Sequence, residues 1–173
     1  APIPEDEELR YQALVDTGLL EHPPVRLFHE TAQKAANAFD VKFAQVSLVA
    51  SDWVHTPGGL LVRKDEDAET AGLPRDQSIC SYVVSDGVEL VVEDIARDPR
   101  FADNPTLAQA GVRSYAGVPL KNCKGQVLGS LCILHDEPRA VSADELELLS
   151  EMAQELMEGL QEAASKSSLP RTE

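Results

Sequence analysis

The sequence predicts an α+β fold: a central antiparallel sheet of five to six strands, the terminal helices on one face, short helices and loops on the other. Three observations predict it. Apolar residues recur every three or four positions at both ends of the 173-residue chain, they alternate in its middle, and the middle segments are short and bounded by turn formers.

The first helix is expected over Glu5–Leu20, with Leu9, Ala13 and Leu14 on one side and acids crowding its first turn, where the helix dipole favours them. Gly18 and Pro23-Pro24 stop it. The second helix runs from Val25 to Phe39, its apolar stripe made by Phe28, Ala32, Ala35 and Phe39. After Asp40 the period changes to two. Phe43–Ala50 reads as a strand with Ala44, Val46, Leu48 and Ala50 on one face and Gln45 and Ser47 on the other. A second strand is expected from Trp53 to about Leu61, interrupted by Pro57-Gly58-Gly59. Arg63–Gln77, polar and broken by Gly72 and Pro74, reads as a surface loop leading to a short helix over Ser78–Ser85.

A third strand is expected at Val88–Glu93 and a turn-rich loop at Asp94–Asn104, where Asn104-Pro105 has the cap-then-proline pattern of another short helix. Arg113–Leu120 and Val127–Leu134 read as the last strands, joined by the turn Lys121–Gly125. The final helix opens on a capping box, Ser142 with Glu145, and carries the seam Leu146, Leu149, Ala153, Leu156, Leu160 and Ala163. Such a seam packs inside a domain or against a second chain. A single domain over residues 1–165 and a frayed tail at 166–173 are expected.

Composition excludes several functions. Thirty acids against fifteen bases leave a net charge of −15, and a nucleic-acid or anionic-membrane binder needs a basic face to displace counterions. No apolar run reaches a membrane span, no signal segment opens the chain, and three cysteines without a CxxC pair are no disulfide framework. A cytoplasmic protein is expected. The charge is uneven: residues 1–30 and 136–173 together carry seventeen acids and five bases, whereas residues 31–135 carry thirteen and ten. The acidic ends read as solvated helix faces that keep the protein soluble, or as a means of repelling anionic partners.

Site motifs are sparse. The histidines His22, His29, His55 and His135 show no metal-ligand spacing, Cys123 and Cys132 are too far apart for a zinc knuckle, and no phosphate loop or GxSxG elbow occurs. The informative concentration is central: Arg75, Arg97, Arg100 and Arg113 fall in loops or at strand starts near Asp94, Asp98, Asp103, Phe101, Tyr82 and Tyr115. Arginines and aromatics on loops over a sheet face suit a small polar or anionic ligand, while a turn such as Asp98-Pro99-Arg100 also satisfies its own charges.

The run Leu73-Pro74-Arg75-Asp76-Gln77-Ser78-Ile79-Cys80-Ser81-Tyr82 resembles a GAF domain. So do Val91 to Pro105, Arg113-Ser114-Tyr115-Ala116-Gly117-Val118-Pro119-Leu120, and Leu128-Gly129-Ser130-Leu131-Cys132-Ile133-Leu134. Glu137-Pro138-Arg139 and the opening Leu14 to Pro24 match bacterial members, so the likeness covers about residues 5–163. It implies a GAF/PAS-like sheet with ligand loops on one side and terminal helices, often a homodimer interface, on the other.

The resemblance implies a non-catalytic sensory or regulatory module that binds a small ligand and signals through its terminal helices. Candidate ligand-binding residues are Tyr82, Arg97, Arg100, Phe101, Arg113, Tyr115, Cys80 and Asp94; no catalytic or metal residue is assigned. Departures bear on the ligand. The Asp-Glu that ends the cyclic-nucleotide constellation is missing after Phe101. Cys80 is followed by Ser81-Tyr82 rather than the histidine of bilin members, and many bacterial relatives have histidine where Tyr82 stands. Two alternatives are a thiol-dependent reductase resembling free methionine sulfoxide reductase, centred on Cys80, and a ligand-free dimerisation module. Gln109–Val112 lacks that reductase's second cysteine. Cys132 reads as core packing and Cys123 as incidental. The N-terminus reads as a natural family start. The last helix reads equally as an end or as the beginning of a linker to an output domain.

Overall fold

The computed structural model describes residues 1–57 and 72–167. In chain order the elements are helices α1 (Glu7–Asp16) and α2 (Val25–Phe39), strands β1 (Phe43–Val49), β2 (Trp53–His55) and β3 (Gly72–Pro74), helix α3 (Cys80–Asp86), strand β4 (Leu90–Val92), helix α4 (Pro105–Ala110), strands β5 (Ser114–Lys121) and β6 (Val127–His135), and helix α5 (Ala143–Ser167). The six strands form one antiparallel sheet in the order β3-β2-β1-β6-β5-β4. β6 is central, and its residues are buried from Val127 to Leu134 because both faces of the sheet are covered.

Alternation along the strands separates two large cores, and Val49, Val54, Val84 and Val127 form a third, smaller cluster. Ala44, Val46 and Leu48 of β1, Ala116, Val118 and Leu120 of β5, and Leu131 and Ile133 of β6 meet Phe28, Ala32 and Ala35 of α2 and Leu149, Met152, Ala153 and Leu156 of α5. Phe43, Tyr115, Cys132 and Leu134 face the other way, against Cys80 and Val83 of α3 and Ile95, Phe101 and Leu107 of the connecting segments. The seam of α5 is therefore spent largely inside the domain.

The expected caps form. Ser142 Oγ accepts from Glu145 N at 3.1 Å while Glu145 Oε1 accepts from Ser142 N at 3.2 Å, and Asn104 Oδ1 accepts from the amides of Thr106 and Leu107. Pro105 occupies the first turn of α4, where its missing N–H costs nothing.

Three expectations are corrected. Gly72–Pro74, read as part of a surface loop, is the edge strand β3, paired with β2 through Trp53↔Pro74, Val54↔Leu73 and His55↔Gly72. An edge strand tolerates proline because its N–H needs no ladder partner. On α1, Leu9 is 67% exposed, whereas Arg10 is 1% exposed and Leu14 fully buried. The guanidinium is tolerated there because Glu7 accepts from its Nε and Nη2, and the Val127 carbonyl accepts from Nη1 at 3.2 Å. Arg75 is not a loop arginine facing a ligand. It is buried and donates to Glu7, Ala50 O and Ser51 O, which ties α1 to the far end of β1.

The expected continuation of β2 to Leu61, with its Pro57-Gly58-Gly59 bend, and the start of the Arg63–Gln77 loop extend into residues outside those described. The same holds for the expected tail from residue 168 onward.

Candidate functional site

The loop side of the sheet carries the eight sequence-derived candidates, and the structure arranges them in three clusters. In the first, Tyr82 and Phe101 meet edge to face with centroids 4.9 Å apart, and the Arg100 guanidinium carbon lies 4.9 Å from the Phe101 centroid and 5.7 Å from that of Tyr82. The aromatic faces attract the cation. Arg100 is held from behind by a bidentate pair with Asp98, at 2.8 and 3.1 Å, and the arginine's hydrogen bonds draw the Asp98 carboxyl below its ordinary range. Phe101 is buried, Tyr82 half-buried and Arg100 exposed, so this cluster runs from core to solvent.

The second cluster centres on Asp94, whose carboxylate takes Arg113 Nη2 at 3.1 Å and Arg97 Nε at 3.5 Å. Asp94 also caps the short turn Ile95–Arg97 by accepting from Ala96 N. Arg97 is 89% exposed, so its pairing is a weak surface contact that an incoming anion can replace. A backbone bond from Ile95 N to Arg113 O at 2.8 Å joins this loop to the start of β5.

The third cluster is buried except for Gln45, which is half-buried. Tyr115 Oη donates to Cys80 Sγ at 3.5 Å, Gln45 Nε2 donates to the same sulfur at 3.8 Å, and Cys132 Sγ lies 4.0 Å from it. Ser47 and Ser130 share a 2.8 Å hydrogen bond beside them. Register explains the gathering: Gln45 pairs with Cys132 and Ser47 with Ser130 across β1 and β6, while Gly117 of β5 pairs with Cys132. Gly117 is required by packing. A Cβ there would lie 2.3 Å from Tyr115 Oη, so only glycine lets the tyrosine fold back along its own strand to reach the sulfur.

The electrostatics of this cluster follow from its contacts. The hydrogen bond from Cys132, with help from Ser130, Tyr115 and Ser47, outweighs burial and brings Cys80 down to about 5. Burial and the neighbouring Cys80 push the Cys132 thiol well up, and they push Tyr115 up as well. One sulfur is the acid of the pair and the other keeps its proton.

Of the eight candidates, Cys80 and Tyr115 touch each other, as do Tyr82, Phe101 and Arg100, and Asp94 touches Arg97 and Arg113. Sequence reading missed Gln45, Ser47 and Ser130. Their signal was present, since each is polar at the inward parity of a strand whose other face is apolar. Also missed was a groove of about 660 Å³ on the opposite side of the molecule, between the end of α1, the β5–β6 turn and α5. Leu19, Leu128, Met157 and Leu160 give it an apolar floor, and Lys121 stands at its rim among acids. Among the described residues no three His, Cys, Asp or Glu side chains are placed to hold a metal ion, and no helix is long and apolar enough to cross a membrane.

A two-core α+β domain, with an antiparallel sheet between terminal helices and a layer of short helices and loops, is the class of protein this geometry defines. The family model of the GAF domain matches residues 23–160, and the chain belongs to that family. It is similar to a cyclic di-GMP phosphodiesterase of Pseudomonas aeruginosa, 37% identical over 147 residues, which are 83% of this chain and 24% of that relative's length. The phycocyanobilin-bound GAF domain of a cyanobacterial phytochrome superposes with a TM-score of 0.68 at 16% identity, covering 94% of this chain and 97% of that one. A type II free methionine-R-sulfoxide reductase from Thermoplasma acidophilum superposes with a TM-score of 0.61 at 14% identity, covering 90% and 94%. Identities this low show a shared fold.

Proposed function

We propose that this chain is a sensory GAF module in cyclic di-GMP signalling, doing no catalysis itself, which binds a small polar or anionic ligand on the loop side of the sheet and passes the event to α1 and α5. The observation that carries the reading is the 37% identity over 147 residues with a cyclic di-GMP phosphodiesterase, of which the matched stretch is 24%. The clusters of Arg97, Arg100 and Arg113 support the ligand's class, because their partners Asp94 and Asp98 hold guanidinium groups at the surface where an anion exchanges for a carboxylate. Arg75 supports the route. Its carbonyl accepts from Ser81 Oγ on α3 at 2.6 Å while its side chain grips Glu7 on α1, so a shift of α3 acts on a terminal helix through one residue.

In this reading the domain works in the cytoplasm as a homodimer through the terminal helices. Leu149 and Leu156 are taken up by the domain's own core, so the residues left for that contact are Leu9, Val15 and Leu148, all exposed, with the half-buried Leu160. Sedimentation of a Leu148→Asp/Leu160→Asp variant is expected to give a monomer where the parent chain gives a dimer.

The ligand is tested by following the melting temperature of the chain against cyclic AMP, cyclic GMP, cyclic di-GMP, citrate, 2-oxoglutarate and inorganic phosphate. Stabilisation by at least one of these is expected, by about 2.7 kcal/mol at a hundredfold excess over its Kd. A melting temperature unmoved by all six overturns the anionic-ligand reading.

A further inference from the structure

The buried cluster around Cys80 has more polarity than packing needs. A thiol in an apolar core behaves as a small hydrophobe, yet this one receives Tyr115 Oη at 3.5 Å and Gln45 Nε2 at 3.8 Å, with the Ser47–Ser130 hydroxyl pair alongside and a second thiol at 4.0 Å. Every one of these groups donates a proton toward negative charge on sulfur or sits beside one that does. Thiolate, rather than thiol, is the form that attacks an electrophile.

The two sulfurs are unequal in their settings. Cys132 is fixed in the central strand, paired on both sides by β1 and β5. Cys80 is the first residue of the seven-residue α3, which lies outside the sheet and packs on it. A disulfide requires the sulfurs to close from 4.0 Å to about 2.05 Å, an approach that falls to Cys80 because Cys132 is held in the sheet on both sides. Both sulfurs are fully buried, and of the side chains that bond the Cys80 sulfur Gln45 is the half-buried one, so a hydroperoxide would have to reach Cys80 past its amide.

We propose that Cys80 and Cys132 form a peroxide-reactive dithiol site, in which Cys80 attacks a hydroperoxide and Cys132 resolves the product to an internal disulfide. In the first step the Cys80 thiolate attacks one peroxide oxygen; the O–O bond breaks, an S–O bond forms, and the leaving oxygen takes a proton to become water or an alcohol. Cys80 is now a sulfenic acid and the peroxide has received two electrons. In the second step Cys132 sulfur attacks the Cys80 sulfur; the S–O bond breaks, the S–S bond forms, and the departing hydroxide combines with the Cys132 proton as water. Two thiols and one hydroperoxide thus become one disulfide, one water, and one water or alcohol. Neither step uses the anionic ligand, so the site stands apart from that reading.

The test uses a Cys123→Ser chain, so that the exposed third cysteine is silent. After hydrogen peroxide, free thiols counted under denaturing conditions are expected to fall from two to none, and the intact mass to fall by two hydrogens. Adding Cys132→Ser is expected to stop Cys80 at a sulfenic acid that dimedone traps, whereas adding Cys80→Ser leaves Cys132 unreacted. The parent chain decides the matter even if either added substitution fails to fold. Two free thiols surviving peroxide levels that oxidise free cysteine overturn the proposal. So does a disulfide that forms with free methionine sulfoxide and not with peroxide, which would assign the pair to sulfoxide reduction instead.

Discussion

The two faces of the sheet are built from different chemistry. On the helix face, strands meet α2 and α5 through alanine, valine, leucine, isoleucine, phenylalanine and methionine, and the polar groups that enter lie at the margin, as Arg10 does. On the loop face the same strands present Gln45, Ser47, Ser130, Cys132 and Tyr115 to α3 and its neighbours, and the connecting segments on this side carry the ion pairs of Asp94 and Asp98. An aliphatic interface stabilises by area and tolerates little change, since burial contributes about 25 cal/mol per Å² wherever it occurs. A polar interior contributes less and stakes more on geometry. The helix face is organised for burial of area, and the proposed reading assigns response to the loop face.

Several substitutions would break or sharpen that contrast. The largest effect is expected for Phe28→Ala, which empties the centre of the helix-face core and should cost about 4 kcal/mol in urea unfolding. Phe101→Ala on the loop face should cost about 3 kcal/mol, because Tyr82 and Arg100 stand at the surface and can settle into the gap. Equal costs would mean that the loop face is as rigid as its counterpart.

Next comes the ionic tie of α1. Burial raises the Glu7 carboxyl, but hydrogen bonds from Arg10 and Arg75 outweigh it and bring the group down to about 2. Glu7→Gln leaves two buried guanidinium groups short of an anion and should cost roughly 3 kcal/mol at neutral pH. The sign of the pH effect follows from the depressed pKa. The contribution is fully present above the unfolded carboxyl value of about 4.3 and is lost as pH falls toward the folded value. Unfolding curves of the parent chain should therefore slope steeply between these values, and those of the variant should be flatter.

Gly117→Ala is expected to cost about 2 kcal/mol by driving Tyr115 off its strand, and to raise the pH at which the ultraviolet absorbance of the Cys80 thiolate appears. Tyr115→Phe should move that titration the same way with less loss of stability; an unmoved titration in both would remove the tyrosine from the thiol's environment. The smallest effect belongs to Arg97→Ala, under about 0.5 kcal/mol, as its ion pair lies in solvent.

Local signals account for what the sequence shows. The order of helices, the alternation of β1, the caps at Asn104 and Ser142 and the family blocks all depend on residues close in the chain, so they are legible. Three-residue β3 carries no alternation of its own and exists because β2 needs a partner. Burial of Arg10 depends on the carbonyl of distant Val127, and that of Arg75 on Glu7, 68 residues away, so neither is visible from neighbours in sequence. Cys132 resembles core packing along β6, and its meeting with Cys80, 52 residues away, follows only from the placement of α3 on the sheet. The acidic ends were legible as charge, but the groove between α1 and α5 arises from how the two ends pack together.

That groove supplies the most direct test, because it is a large cavity lined away from the loop-side arginines. Isothermal titration of whichever of the six anionic probes stabilises the chain should be run on the parent, on Arg100→Ala/Arg113→Ala, and on Met157→Ala/Leu160→Ala. The expected result is a loss of affinity of at least tenfold in the arginine variant and parent-like affinity in the groove variant. Affinity that survives the arginine substitutions and falls with the groove substitutions would place sensing on the helix face and contradict the division of labour between the two sides of the sheet.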